Sequence, residues 1–393
     1  MNDKLFKILI APNSFKECAD SVEISELIKT SLFKLLPNEI KSHIDFSLNP
    51  ISDGGDGFIS VCQRVFGAEL LHFEISTPYN DDKFFCPVGY FQDSKTIFIE
   101  SAEIFGLKII PDEFRNPIQI SSKGLGELLL QLYDSTENGI MDIENVIIGI
   151  GGTGINDLGM GMMEVFGLEF YDKNDNRLEV MSKNFLQVEK IVVPEVNFPF
   201  RIEMIIDVEN PLLGINGASL TFAEQKGATD EEAKQMEKGF AHILDELEID
   251  EVTQEGLSGA GGGIAAALKL FFNAEETFAD KFIREELKIH PENSNVDMVI
   301  TGEGKLDTQT LMNKGAFIVV NEFAKQNVPI HFLCGVSEGD LPEIENMKVL
   351  EIAEYFDSPE DSIKKIDQGI DLACKRISKD IIQLFAKKNS NPK

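Results

Sequence analysis

The stretch Asn145–Gly159 reads NVIIGIGGTGINDLG, and it decides the fold. An unbroken apolar run, Val146 to Ile148, leads through Gly149, Gly151, Gly152 and Gly154 into a segment that opens a helix. Continuous rather than alternating apolar character marks a strand covered on both faces, the habit of parallel sheets flanked by helices. A glycine turn between such a strand and a helix cradles anions on backbone N–H groups. Gly149, Gly151 and Gly154 also spell G-x-G-x-x-G, with Glu169 about where a ribose-binding acid would stand, so an NAD-type site is a rival reading. Asn156 and Asp157, at the helix start, weigh against it. A carboxylate beside a bound pyrophosphate is costly unless it holds a metal or takes a proton, and phosphoryl transfer wants both functions.

Outward from this stretch the same alternation recurs. Strands are expected at Lys7–Ala11, Asn145–Ile150, Arg201–Asp207, Asp297–Thr301 and Ile330–Cys334. Helical spacing covers Ser21–Leu36, Phe58–Phe66, Ser122–Tyr133, Asp230–Leu247 and Asp361–Phe385. That is the signature of an α/β protein. From Leu70 to Ile110 the alternation breaks into short strands and turns, such as Tyr79-Asn80-Asp81-Asp82. Hairpins after a βα start predict a second domain inserted into the first. Residues 1–70 plus 290–393 are therefore expected to form one discontinuous domain around a shared parallel sheet, and 71–289 the inserted one.

Composition bounds the function. The chain has 393 residues, 43% hydrophobic and 26% charged, which suits two or three soluble globular domains. Thirty-six lysines and arginines against 67 acidic residues give a net charge of −31, a field that repels nucleic acid and anionic membranes. Five scattered cysteines without a CxxC pair point to a reducing compartment rather than a disulfide framework. No signal peptide is expected from the N-terminal residues, and no apolar run approaches the roughly 20 residues of a membrane span. A cytoplasmic protein acting on small molecules is expected, with a homodimer as a further expectation.

Five other turns carry polar groups where chemistry could sit. Ala11-Pro12-Asn13-Ser14-Phe15-Lys16 follows the first strand, so Ser14 could donate to a ligand and Lys16 could neutralise a phosphate or carboxylate. Ser52-Asp53-Gly54-Gly55-Asp56-Gly57 places two carboxylates three residues apart, able to hold Mg²⁺ through oxygen. Asp207 ends a strand before Val208-Glu209-Asn210-Pro211, where it could accept a hydroxyl proton. Ser258–Ala267 is a glycine run entering a small-residue helix. Thr301–Thr310 offers Glu303 and Asp307 as metal or base candidates and Lys305, with the later Lys314, as phosphate candidates. No Walker A, HRD, DFG or G-x-S-x-G pattern occurs, and the five histidines lack metal-ligand spacing. A non-catalytic sugar-acid sensor remains the non-enzymatic alternative.

Over nearly its whole length the chain resembles the type-1 glycerate kinase family. Ala11–Lys16 resembles that family's A-P-D-S-F-K, with Asn13 in place of aspartate, and Asp53–Gly57 resembles D-G-G-E-G, with Asp56 for glutamate. Gly151–Gly159 is similar to G-G-S-x-x-N-D-x-G, with Thr153 for serine. Asp207–Gly214 matches every fixed position of D-V-x-N-P-L-x-G, Gln225–Ala228 matches Q-K-G-A, and Ile300–Thr310 matches I-T-G-E-G-x-x-D-x-Q-T.

The resemblance implies ATP, Mg²⁺ and D-glycerate, with 2-phosphoglycerate as product. It also implies a Rossmann-like domain built from both chain ends and a second α/β domain inserted between them. On this reading Asp207 and Lys16 are catalytic. Ser14, Gly151, Gly152, Thr153, Asn156, Lys226, Lys305 and Lys314 bind substrate or phosphate, and Asp53, Asp56, Asp157, Glu303 and Asp307 serve the metal.

Overall fold

Apolar runs buried on both faces become the parallel strands of two sheets. The computed structural model describes residues 5–15, 18–80, 82–293, 295–307, 315–339 and 343–390. In chain order its strands are β1 (Phe6–Ile10), β2 (Ile44–Leu48), β3 (Glu69–Ser76), β4 (Lys83–Phe91), β5 (Thr96–Glu100), β6 (Asn145–Gly149) and β7 (Glu169–Tyr171). They continue with β8 (Arg177–Leu178), β9 (Lys190–Val192), β10 (Arg201–Ile206), β11 (Glu275–Phe278), β12 (Met298–Leu306), β13 (Ile330–Ser337) and β14 (Met347–Glu351). The chain divides into two compact units, Met1–Asp53 with Ala279–Lys393, and Gly54–Phe278.

The first unit is built on a five-stranded sheet in the order β14-β13-β12-β1-β2, parallel throughout. Strands from both ends of the chain therefore share one sheet, with Ile8 opposite Met298 and Ile10 opposite Ile300. The helix Ser21–Leu35 starts at a capping box: Asp20 accepts from the Glu23 amide at 2.8 Å, and the Glu23 carboxylate accepts from the Asp20 amide at 3.3 Å. Ile24, Ile28 and Leu32 repeat every fourth residue and so share one buried face. That face joins Ile370, Ile377 and Ile381 of the helix Ile366–Ser390 and the sheet residues Ile8, Ile10, Ile300 and Leu333 in one core. The C-terminal helical region, expected as one helix, is two, Pro359–Lys364 and Ile366–Ser390.

The second unit holds a six-stranded sheet in the order β11-β10-β6-β5-β4-β3. The pairs β3–β4 and β4–β5 are antiparallel, whereas β5, β6, β10 and β11 are parallel to one another. The region 70–110, expected to be short strands and turns, holds β3, β4 and β5, and the fully buried β5 joins the parallel half. A small sheet, β8-β7-β9, lies in the same unit. Its main core takes Leu125, Leu128, Leu129 and Leu132 from the helix Lys123–Glu137 and Phe240, Ile243 and Leu244 from Asp230–Glu246. Among the described residues no helix is long and apolar enough to cross a membrane.

Candidate active site

In the five-stranded sheet the chain steps from β1 to β2 on one side, while β12, β13 and β14 extend the other side. Strand order therefore reverses between β1 and β12, and open α/β sheets bind ligands beyond the carboxyl ends of strands at such a reversal. Asn13 follows β1, Asp53 follows β2, and Glu303 lies in the later half of β12. Asn13 Nδ2 donates to Asp53 Oδ2 at 2.9 Å, and Asn13 Oδ1 accepts from the Ser14 amide at 2.9 Å. Asn13 and Ser14 are both buried.

Gly315 closes on this group with φ +47, and a Cβ there would stand 2.5 Å from Glu303 Oε2 and 3.1 Å from Asn13 Nδ2. Only glycine fits. Two carboxylates around one amide form a hard-oxygen donor set of the kind Mg²⁺ takes, and Mg²⁺ commonly keeps water and phosphate oxygens as its remaining ligands. Among the described residues no three His, Cys, Asp or Glu side chains gather as a closed metal cage. A metal here would thus be completed by phosphate or water. Further along the same segment Lys305 pairs with Glu338 at 2.9 Å and stands 3.8 Å from Asp307 Oδ2. Lys16 and Lys314 lie outside the described residues.

In the second unit two glycine turns pack backbone to backbone. A Cβ on Gly151 would come within 2.7 Å of Gly55 Cα, so the turns approach this closely only because no side chain intervenes. Asp56, on the first turn, pairs with Lys108 at 3.0 Å. It lies beside the second turn, its Oδ1 3.8 Å from where a Cβ on Gly152 would be.

Sequence reasoning missed the residue that ties the turns down. Glu100 ends β5, is 3% exposed, and accepts from the Gly57 and Ile59 amides at 2.9 and 3.1 Å at the start of the helix Phe58–Phe66. Burial raises its pKa to about 8; the two amides oppose that, and the nearby Glu103 and Asp56 charges add to it. The next residue, Ser101, donates from Oγ to the Gly151 carbonyl at 3.1 Å, fastening the second turn to the same strand end. The signal was a lone acid closing the buried run Ile97-Phe98-Ile99. Lys108 left no signal at all.

Three expected ligands turn out to be internal. Asp157, expected at the metal, is 1% exposed; its Oδ2 accepts from the Ser122 amide and hydroxyl, both at 2.7 Å, and from the Gly161 amide at 3.3 Å. Its Oδ1 accepts from the Gly159 amide at 3.0 Å. Burial raises its pKa, and these donors oppose the rise. Asp157 is a buried fastener of the turn, because four donors already occupy it. Asn156, expected at phosphate, is fully buried, with Nδ2 donating to Ser219 Oγ at 3.0 Å. Its Oδ1 has no hydrogen-bond partner among the described residues. Lys226, expected at phosphate, is 5% exposed and donates to the Ile155 carbonyl at 2.8 Å and to Thr153 Oγ1 at 3.3 Å. Burial lowers its pKa to about 8 against the opposing pull of Asp157. Lys226 therefore grips the inner side of the turn through Thr153 and Ile155. Asp207 follows β10 directly and is half-buried.

Comparison with known proteins agrees with this architecture. The sequence model described as the glycerate kinase family matches residues 8–385. A glycerate 2-kinase of Escherichia coli is 32% identical over 342 residues, 85% of this chain and 86% of that protein. A glycerate kinase of Neisseria meningitidis is 31% identical over 364 residues, 91% of this chain and 94% of its own length. A crystal structure from Salmonella typhimurium described as glycerate kinase 2 aligns with a TM-score of 0.74 at 27% identity, covering 97% of this chain and 99% of that one.

Proposed function

Because the chain belongs to the glycerate kinase family, we propose that it transfers the γ-phosphoryl group of ATP to the 2-hydroxyl of D-glycerate, giving 2-phosphoglycerate, with Mg²⁺ required. The observation that carries this reading is the Asn13–Asp53–Glu303 group at the sheet's strand reversal, where a hard-oxygen donor set stands in the position α/β sheets reserve for ligands. The position of the new phosphate follows the relative described as a glycerate 2-kinase.

Bound Mg²⁺ would neutralise phosphate charge as it develops in transfer. Asp53 and Glu303 would hold it, with Asn13 fixing the Asp53 carboxylate. Asp307, in the same unit, would offer a further oxygen donor. The Gly151-Gly152-Thr153 turn would present donors to a substrate anion, and Lys16, Lys305 and Lys314 would supply the local positive charge that a chain of net charge −31 has to concentrate. Asp207 would accept the proton of the attacking hydroxyl; as the end of a strand it can point at substrate, and it escapes the helix-start setting that engages Asp157. In this reading the two compact units serve as the enzyme's two domains.

The test is ADP release across a panel of small hydroxy acids, with and without EDTA. D-Glycerate should stimulate release most, EDTA should abolish it, and added Mg²⁺ should restore it. ATP left intact in the presence of D-glycerate and Mg²⁺ would overturn the reading.

A further inference from the structure

A lysine ammonium has three donors and no acceptor. In the 3.3 Å contact between Lys226 Nζ and Thr153 Oγ1, the hydroxyl oxygen must therefore accept. Its own hydrogen is left to donate elsewhere. The second Lys226 bond, to the Ile155 carbonyl at 2.8 Å, fixes the ammonium two residues further along the same turn. Among the described residues Lys226 forms no ion pair; the carboxylate that acts on it, Asp157, already accepts from Ser122 N, Ser122 Oγ, Gly159 N and Gly161 N. A buried cation without a direct counter-ion is destabilising by itself. A positive charge held behind a hydroxyl strengthens that hydroxyl as a donor, since hydrogen bonds in series polarise one another. Thr153 and Lys226 are both buried, and Thr153 belongs to the glycine turn itself whereas Lys226 reaches that turn from outside it.

We propose that Lys226 is a positioning residue that acts through Thr153, holding the Thr153 hydroxyl as a hydrogen-bond donor toward an oxyanion bound at the Gly151–Thr153 turn. The oxyanion is either a nucleotide phosphate or the carboxylate of the hydroxy acid. The inference rests on the reading that this turn meets a substrate anion, and it adds the route by which a buried lysine serves it.

The experiment is a double-mutant cycle on Thr153→Val and Lys226→Met, with Thr153→Ser as the conservative variant. KM for ATP, KM for D-glycerate, kcat and calorimetric ADP affinity are measured on the full chain. A hydrogen bond to a charged group is worth enough that Thr153→Val should raise one of the two KM values about tenfold, while Thr153→Ser stays near the parent. If the ATP constant and ADP affinity move, the anion is phosphate; if the glycerate constant moves, it is the carboxylate.

Lys226→Met should raise the same constant about tenfold alone and less than about threefold on top of Thr153→Val. An equal Lys226→Met effect in both backgrounds, or none in either, refutes the route through Thr153 and leaves the placement of the turn standing. A silent Thr153→Val refutes the placement of the turn and the inference with it. Should Lys226→Met fail to fold, Lys226→Gln, which keeps an N–H for the Ile155 carbonyl, runs through the same cycle with the same criteria.

Discussion

Replacing Lys226 with methionine should separate stability from function. Burial lowers the Lys226 pKa from 10.5 to about 8, so at pH 7 the folded chain carries a charge it would more readily hold when unfolded. At roughly 1.4 kcal/mol per pH unit, keeping that charge inside costs about 3 kcal/mol at neutral pH. Methionine has similar length and no charge, and it leaves the Ile155 carbonyl and Thr153 Oγ1 without their donor. Losing those bonds costs about 1–3 kcal/mol. The variant should thus be about as stable as the parent at pH 7, or more stable by up to about 2 kcal/mol, although it binds substrate less well.

The sign with pH follows from the lowered pKa. Between about 8 and 10.5 the unfolded chain binds more protons at this site than the folded one. The parent's stability therefore rises with pH relative to the variant, by about 2–3 kcal/mol between pH 7 and 10. Urea unfolding of both proteins at pH 7, 8, 9 and 10 measures that difference, and subtraction removes every other group that titrates there. A parent-minus-variant difference that stays constant across the series would show that Lys226 is not a buried cation.

Other outcomes follow from the same geometry. Glu100 has a pKa raised from 4.5 to about 8, so its contribution to stability is full below pH 4.5 and is lost as pH rises through about 8; urea unfolding of Glu100→Gln should show a flatter profile than the parent from pH 5 to 8, and parallel profiles would disprove it. Gly315→Ala puts a methyl group 2.5 Å from Glu303 Oε2 at φ +47, so it should destabilise the chain by about 1–3 kcal/mol and depress kcat; a variant with unchanged melting temperature and turnover would show that the Asn13–Glu303 group tolerates displacement. Asp207→Asn should lower kcat by about 10²–10⁴ while calorimetric ATP binding stays nearly intact, and a fully active variant would leave Asp207 as a turn residue only.

The parallel sheets were legible because their strands are apolar without alternation. Phe6–Ile10, Asn145–Gly149, Arg201–Ile206 and Ile330–Ser337 all lie within a residue or a few of the expected segments. The helix Phe58–Phe66 matches its expected bounds, since Gly57 and Gly67, both in the left-handed region, stop it at either end. Strand β5 was hidden for a physical reason. It is reached through an antiparallel hairpin, β3–β4, so local turn signals pointed away from the parallel half to which it belongs.

The turns of the candidate site were legible as glycine and polar clusters, yet the direction of their side chains was not. Asn156, Asp157 and Lys226 have the chemistry of ligands, and only the fold shows that they point inward, onto Ser219, Ser122 and Ile155. Conversely, Asn13 and Glu303 lie 290 residues apart, and their meeting around Gly315 depends on the pairing of β1 with β12.

The most direct measurement is the identity of the phosphorylated product. The chain is incubated with ATP, Mg²⁺ and D-glycerate, and the mixture is followed by phosphorus NMR with proton coupling. ADP and 2-phosphoglycerate should appear together in equal amounts, the new phosphorus coupled to the single proton at carbon 2. A phosphorus signal coupled to the two protons of carbon 3, or ATP hydrolysed with no phosphorylated glycerate, would contradict it.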